Sequence, residues 1–184
     1  MAGPEEARFE FRGINHLALV CRNMARTVEF YRDILGMPLI KTLNLPGGKG
    51  QHFFFDAGNN TSIAFFWFPN APQAEPGIVQ APPGGGVSAH GSMNHLALDV
   101  APDKLEEYRR RLIDRGIEVT AIVNHDDSPR TVSPEVNATT FVRSIYFHDP
   151  DGIRLELAAW AREFTEADAA EPAVDPDAPA LARA

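Results

Sequence analysis

The sequence of 184 residues has only one cysteine, Cys21, and no long apolar run. A single cysteine excludes an internal disulfide framework and is typical of a reducing compartment. No apolar stretch approaches the roughly 20 residues of a membrane-spanning helix. The first residues, MAGPEEARFEF, also lack the apolar region of a signal peptide. We therefore expect a cytoplasmic protein that does not associate with membranes.

Positive charge is also scarce. The sequence has 17 lysines and arginines against 25 acidic residues, and its formal net charge is −8. This balance argues against nucleic acid as a partner. The last segment, 162–184, holds six acidic and two basic residues among alanines and prolines. Its composition predicts that residues 161–184 form a disordered acidic tail. A short helix over 162–170, lying against the surface, is the alternative.

The pentapeptide NHLAL occurs twice, at 15–19 and at 94–98. A polar turn and an amphipathic helix follow each copy, since apolar residues recur at helical spacing over 24–35 and 104–115. Repetition of a strand and a helix in the same order predicts two copies of one structural module.

Three further strands follow each predicted helix. They cover 38–44, 51–57 and 61–68 in the first copy, and 117–124, 140–148 and 152–160 in the second. The sequence therefore predicts an α+β fold of two βαβββ modules. One helix covers one face of each sheet, and the two bare faces can pair into an eight-stranded cup.

We expect a single domain over 12–160. It consists of module one (12–68), a linker rich in proline and glycine (69–92) and module two (93–160). The linker composition is unsuited to regular structure, so the linker joins the modules and is long enough to let them pair within or between chains.

Alternation along the strands places several polar side chains on the bare faces. In each NHLAL copy the leucines face the helix, so His16 and His95 face the other way. Glu156 lies on the bare side of the last strand, where a carboxylate among apolar residues is costly unless it is paired. Two imidazoles and a carboxylate bind a divalent transition metal and leave positions open for substrate. We therefore predict a metal site formed by His16, His95 and Glu156.

The βαβββ repeat, FYRDILGM (30–37) and SIYFHDPDGIRLEL (144–157) resemble the vicinal oxygen chelate superfamily. That superfamily includes glyoxalase I, epimerases, fosfomycin-resistance thiol transferases, bleomycin-binding proteins and extradiol ring-cleaving dioxygenases. The resemblance implies their fold, and it implies metal ligands at His16, His95 and Glu156. The position of a fourth family ligand falls on Ala64. Metal sites with three protein ligands are typical of the extradiol dioxygenases and the fosfomycin enzymes.

The aromatic strands 51–57 and 61–68 favour a flat apolar substrate over a phosphonate. Together with the resemblance they point to an extradiol-type dioxygenase that cleaves a catechol-like aromatic. Fe(II) is the favoured metal, and Mn, Zn, Ni or Co are possible. By the resemblance Tyr146 contacts the substrate, and we predict His148 as a second catalytic residue. Other candidates for the acid/base histidine are His52, His90 and His125.

Two other classes of function stay open. The first is a Lewis-acid metalloenzyme, which would be a lyase, an isomerase or a thiol transferase. The second is a non-catalytic protein that sequesters an aromatic compound. The cup can close within one chain or between two chains, and the resemblance favours a homodimer.

Overall fold

The chain forms two separate β-sheets, and the structure, a computed structural model, describes residues 13–73, 91–169 and 173. The strands of the first sheet are β1 (His16–Val20), β2 (Leu39–Leu45), β3 (Gly50–Gly58) and β4 (Thr61–Trp67). Their order is β1-β4-β3-β2. β1 runs parallel to β4, and the other neighbours are antiparallel.

The second sheet repeats this plan with one strand more. Its strands are β5 (Leu96–Asp99), β6 (Val123–His125), β7 (Val132–Ser133), β8 (Val142–His148) and β9 (Arg154–Trp160). Their order is β5-β9-β8-β6-β7, with β5 parallel to β9. The predicted α+β fold is confirmed. The described residues contain nine strands rather than eight, because the two-residue β7 adds an edge beside β6.

The predicted strand over 117–124 is mostly absent, since β6 begins only at Val123. Thr120 supplies the physical reason. Its backbone N–H donates to the Tyr146 carbonyl at 3.0 Å, but its side-chain Oγ1, rather than its carbonyl, accepts from the Tyr146 N–H at 3.0 Å. The Thr120 carbonyl instead accepts from Arg109 Nε at 2.7 Å. A side-chain oxygen thus replaces the backbone acceptor of a regular ladder.

The predicted helix over 24–35 changes type along its length. It begins as α1 (Met24–Val28), with the Asn23 side chain accepting from the Arg26 N–H at 3.2 Å as a cap. It continues as a π-helical segment, Glu29–Ile34, and the Leu35 N–H donates to the carbonyl of Phe30, five residues back. Two consecutive side chains of this wider segment, Phe30 and Tyr31, are both buried.

The second helix, α2, spans Leu105–Asp114 and follows a short 3₁₀ turn at Pro102–Lys104. It buries Leu105 and Leu112 against the second sheet. Gly116 follows α2 with a φ of 77°. This left-handed conformation ends the helix and favours glycine because it has no Cβ.

One hydrophobic core joins the two modules through the helix-facing sides of both sheets. The rings of Phe30 and Phe147 of β8 are 6.5 Å apart, and those of Tyr31 and Phe65 of β4 are 4.8 Å apart. Tyr31 Oη also donates to the buried carboxylate of Asp149 at 3.3 Å. Burial of one phenylalanine contributes about 1.5–3 kcal/mol, so these side chains hold the modules together.

The opposite side of each sheet points away from this shared core, and we refer to these two sides as the outer faces. On β1 the two leucines are partly buried, while His16, Ala18 and Val20 are exposed. β5 has the same pattern, with its leucines partly buried and its alternate residues exposed. Within the described chain the modules therefore pack through their helix-facing sides.

Most of the predicted linker, 69–92, and of the predicted tail, 161–184, lies outside the described residues. Residues 161–169 are described, and Phe164 packs on Phe141 with ring centroids 5.8 Å apart. The expected disorder of 161–184 stays a prediction. No helix in the described parts of the chain is long and apolar enough to cross a membrane.

Candidate metal centre

The two repeated histidines occupy matching places in the two modules. His16 is the first residue of β1, and His95 immediately precedes β5. The strand registers also match, because Ala18 pairs with Ala64 and Ala97 pairs with Glu156. Ala64 is thus the counterpart of Glu156 in the first module, and a methyl group stands where the second module has a carboxylate.

His95 and Glu156 come together on the outer face of the second sheet. His95 Nε2 lies 2.7 Å from Glu156 Oε2, and the Glu156 side chain is only 6% exposed. A buried carboxylate needs a partner to offset the loss of hydration. Here the partner is the histidine that the sequence placed on the same face, so these two predicted ligands belong to one site.

Each histidine also contacts the asparagine that precedes it in NHLAL. His16 Nδ1 is 2.8 Å from Asn15 Oδ1, and His95 Nδ1 is 2.5 Å from Asn94 Oδ1. In both copies the carboxamide meets Nδ1. Nε2 is therefore the ring nitrogen of each histidine that does not contact this asparagine.

Tyr146 adjoins the pair from the neighbouring strand, directly opposite Glu156 in the β8–β9 register. Its hydroxyl lies 3.0 Å from Nε2 of His125, and the Arg154 guanidinium lies 4.2 Å above its ring centre. Burial, together with the negative charge of Glu156, raises the pKa of Tyr146 to about 12. Burial also lowers the pKa of His125, against the opposing effect of Glu156.

His148, which we predicted to be catalytic, lies at the end of β8 and is exposed. It follows Tyr146 by two residues on the same face and pairs in register with Arg154. The structure instead brings His125 to the Tyr146 hydroxyl. Of the other candidates, His90 lies outside the described residues. The assignment of His148 stays a prediction.

The outer face of the first sheet is aromatic around His16. The His16 ring meets Phe54 edge-on at 5.8 Å, and His52 stacks on Phe66 at 3.6 Å with an interplanar angle of 11°. Phe66 stacks in turn on Phe68 at 5.5 Å. Aromatic side chains of β3 and β4 therefore share the outer face with His16. We call Phe54, His52, Phe66 and Phe68 the aromatic wall.

His52 is the one polar side chain of the aromatic wall. Its Nε2 is buried and has no hydrogen-bond partner among the described residues. Burial and the nearby His16 both lower the pKa of His52, which favours the neutral imidazole.

The described residues of one chain do not contain three histidine, cysteine, aspartate or glutamate side chains close enough to hold a metal. His95 and Glu156 meet on one outer face, whereas His16 lies on the other sheet. The chemistry of the donors fits a divalent transition metal, since imidazole nitrogens and a carboxylate are its usual ligands. The third donor must therefore come from outside this pair.

A sequence model of the Glyoxalase/Bleomycin resistance protein/Dioxygenase superfamily matches residues 13–157. The chain belongs to this superfamily. The match spans both βαβββ modules and includes both copies of NHLAL and Glu156. The predicted resemblance is thereby confirmed.

Two curated members of the superfamily show which activities occur at this level of similarity. Lactoylglutathione lyase of Salmonella typhimurium is 27% identical over 145 residues, which cover 77% of this chain and 88% of the lyase. Metallothiol transferase FosB of Staphylococcus epidermidis is 28% identical over 146 residues, covering 79% and 82%. Both relatives are enzymes, and the second is a metal-dependent one by name.

Solved structures of the superfamily share the fold. A glyoxalase family protein from Enterococcus faecalis superposes with a TM-score of 0.57 at 26% identity, covering 80% of this chain and 98% of that one. A mutant of FosX from Listeria monocytogenes, in a complex with Mn(II) and a dihydroxypropylphosphonic acid, gives a TM-score of 0.55 at 20% identity and covers 84% of this chain and 96% of that one. The FosX likeness concerns the fold alone.

Proposed function

We propose that two copies of the chain form a homodimer in which their outer faces meet and build the metal site. His16 of one copy would then join His95 and Glu156 of the other. The observation that carries this proposal is the division of the donors between two outward-facing surfaces, two on one and one on the other. A two-fold axis relates the two surfaces reciprocally, so one dimer would hold two equivalent sites.

We further propose that the substrate binds through two neighbouring oxygens and is a catechol-like aromatic. In the dimer the aromatic wall around His16 would face the His95–Glu156 pair of the partner copy. Flat stacked rings suit a planar apolar substrate. A divalent ion held by the three ligands would polarise the substrate oxygens and, as Fe(II), would also supply the redox chemistry of ring cleavage.

Tyr146 and His125 would handle the protons of this reaction. With a pKa of about 12, the Tyr146 phenol keeps its proton and remains a hydrogen-bond donor toward substrate oxygen. His125 Nε2, 3.0 Å from that hydroxyl, would accept the phenol proton while the phenol oxygen takes a proton from the substrate, so that the tyrosine stays neutral. The lowered pKa of His125 keeps the imidazole neutral and able to accept.

The second candidate is a Lewis-acid enzyme, either a lyase or a thiol transferase. The observation that favours it is the pair of curated relatives, a lactoylglutathione lyase and a metallothiol transferase. The same ligands would serve, and Mn, Zn, Ni or Co would replace Fe(II). A non-catalytic binding protein is the third class, and the buried Glu156 paired with His95 argues against it.

Metal content and oxygen uptake together test these assignments. The purified protein, loaded anaerobically with Fe(II) and separately with Mn(II) or Zn(II), is compared with His16→Ala and Glu156→Ala. The exposed His148→Ala serves as a control for surface histidines. We expect one ion per chain in the parent and in the control, and loss of the ion in both ligand variants.

Consumption of O₂ with catechols by the iron form alone would support ring cleavage. Bound metal without oxygen uptake would move the assignment to the Lewis-acid class. If the parent binds no metal under any loading condition, the metal site is wrong and the non-catalytic class takes its place.

A further inference from the structure

We propose that Asn15 and Asn94 are positioning residues that hold the two ligand histidines in the Nδ1–H tautomer. Each would thereby keep Nε2 unprotonated and available as a metal ligand. The inference rests on the proposed metal site, but it assigns a role to two side chains that the proposed function does not use. It also explains why the repeated pentapeptide begins with asparagine and not directly with histidine.

The argument starts from proton counting. A neutral imidazole carries one proton, and a carboxamide oxygen is purely an acceptor. With Asn15 Oδ1 at 2.8 Å from His16 Nδ1, the proton is favoured on Nδ1 and the lone pair on Nε2. A metal ligand needs this lone pair, and the acceptor on the other nitrogen also fixes the orientation of the ring.

The local backbone allows this contact between sequence neighbours. Adjacent side chains within a regular strand point to opposite faces and do not meet. Asn15 avoids this because it lies just before β1 begins at His16. Its segment is anchored to β4, since the Ser62 N–H donates to the Asn15 carbonyl at 3.1 Å and Thr61 Oγ1 donates to the Ile14 carbonyl at 2.8 Å.

The second module repeats the arrangement independently. Asn94 also precedes its strand, which begins at Leu96, and its Oδ1 lies 2.5 Å from His95 Nδ1. The two modules share neither strand nor sheet. The same pairing of an asparagine oxygen with Nδ1 is therefore present at both predicted ligand histidines.

His95 differs from His16 in one respect that shapes the test. Without metal, Glu156 Oε2 accepts at 2.7 Å from His95 Nε2, so two acceptors compete for the protons of this ring. His16 has no carboxylate on Nε2 among its described contacts. The metal-free protein therefore tests the tautomer at His16, and the Zn(II)-loaded protein tests it at both histidines.

The first experiment measures the tautomer directly. Long-range ¹H–¹⁵N NMR spectra of the metal-free protein are recorded at a pH where the imidazoles are neutral. We expect His16 as the Nδ1–H tautomer in the parent and in Asn15→Asp, which keeps an acceptor oxygen. In Asn15→Leu we expect a shift toward Nε2–H. A parent in which His16 carries its proton on Nε2 would overturn the proposal, whatever the metal affinity.

The second experiment measures the dissociation constant for Zn(II) by competition with a chelator. Loss of an acceptor behind a ligand histidine typically weakens metal binding about 10–100-fold. We expect that loss in Asn15→Leu and Asn94→Leu, and less than about a threefold change in the aspartate variants. Asn44→Leu is the matched control, because Asn44 is an exposed strand asparagine whose Oδ1 accepts from Gln51 and not from a histidine.

Leucine variants that bind Zn(II) as tightly as the parent would overturn the positioning role. Aspartate variants that weaken as much as the leucine variants, with an unchanged unfolding midpoint, would overturn it as well. A parent that binds no metal would refute the proposed function, and the NMR measurement would still decide the tautomer.

Discussion

At the scale of single residues, Tyr146 lies between the candidate ligand Glu156 and His125, with which it could exchange a proton. Its hydroxyl contacts His125 Nε2 and its strand position faces Glu156. Burial and the Glu156 charge raise its pKa to about 12, so the phenol stays protonated over the whole range in which proteins are normally assayed. In the proposed reaction Tyr146 would therefore act as a neutral phenol and not as a phenolate.

The first prediction follows from this role. Tyr146→Phe removes the hydroxyl and leaves the metal ligands in place. We expect unchanged metal content and a fall in kcat of about 10²-fold, the lower end of the range for lost acid–base catalysis. The measurement is the rate of oxygen uptake on catechol, beside the metal content of the same sample. A variant with full kcat would show that the hydroxyl takes no part in the reaction.

The second prediction separates the two candidate histidines of the second sheet. His125→Ala removes the side chain in contact with the Tyr146 hydroxyl, and His148→Ala removes an exposed one at the end of β8. We expect a loss of about 10²-fold in kcat for the first variant and a change of less than about twofold for the second. The reverse result would restore His148 as the catalytic histidine.

The predictable residues of the site are those that strand alternation governs. Leu17 and Leu19 are partly buried and His16 is exposed, as the period of two requires. Glu156 faces the same side of its sheet as His95 for the same reason. The contact of His125 with Tyr146 was not predictable, because His125 pairs in register with Val142 and its side chain contacts a residue further along β8. Alternation within one strand contains no information about that pairing.

At the scale of elements, the segment after β6 is held by its own polar groups. Asp126 Oδ1 accepts from the Ser128 N–H and hydroxyl at 3.2 and 2.6 Å, and its Oδ2 accepts from Asn137 Nδ2 at 2.8 Å. These bonds stabilise the charged form and lower the pKa of Asp126 to about 2. Because His125 is the preceding residue, they also fix the end of β6 beside Tyr146.

The third prediction concerns this element and pH. A carboxyl whose pKa is lower in the folded chain than its ordinary value of 3.8 stabilises the fold above that value, and the stabilisation is lost as the pH falls through about 2. Asp126→Asn cannot titrate. Its free energy of unfolding should therefore decline less steeply between about pH 4 and pH 2 than that of the parent.

Urea unfolding at several pH values gives the slopes. Asp127→Asn is the control, because Asp127 is the next residue and its carboxylate pairs only with Arg162 in the described contacts. We expect the control to keep the steep decline of the parent. Equal slopes in the parent and in Asp126→Asn would mean that the Asp126 bonds do not contribute to acid stability.

The elements themselves were predictable where one strong pattern decides them, as in β4, β8 and β9. The strand over 117–124 was not predictable from its own residues. The Thr120 side chain accepts a hydrogen bond that a backbone carbonyl accepts in a regular sheet, and the Thr120 carbonyl accepts from Arg109, which is distant in sequence. The π-helical segment at Glu29–Ile34 was also not predictable, because it depends on contacts with parts of the chain that are distant in sequence. Its register places Phe30 on the second module and Tyr31 on the first sheet, which helical periodicity alone does not foresee.

At the scale of the whole molecule, the outer faces are unusual surfaces for a protein with a net charge of −8. They hold two histidines, an aromatic wall and several exposed apolar residues, among them Val20, half of which is accessible. Contiguous apolar surface on a folded chain marks an interaction site. In the proposed dimer, the second copy of the chain would cover this surface and would supply the missing ligand.

The fourth prediction tests this assembly with two mixed dimers, each isolated through two different affinity tags. In the first, one chain carries His16→Ala and the other Glu156→Ala. If ligands are shared between chains, the intact His16 of one chain meets the intact His95 and Glu156 of its partner at one site. We expect about one ion per dimer, because two-fold symmetry places the two defects together in the other site.

The second mixed dimer combines an unchanged chain with a chain that carries both substitutions. Sharing between chains now predicts one defect in each site, and we expect no tightly bound metal. A site closed within one chain predicts the reverse for both samples, with no ion in the first dimer and about one in the second. Metal analysis of the two samples therefore distinguishes the arrangements by opposite results. Since both dimers contain the same substitutions, altered folding of either variant cannot imitate the outcome.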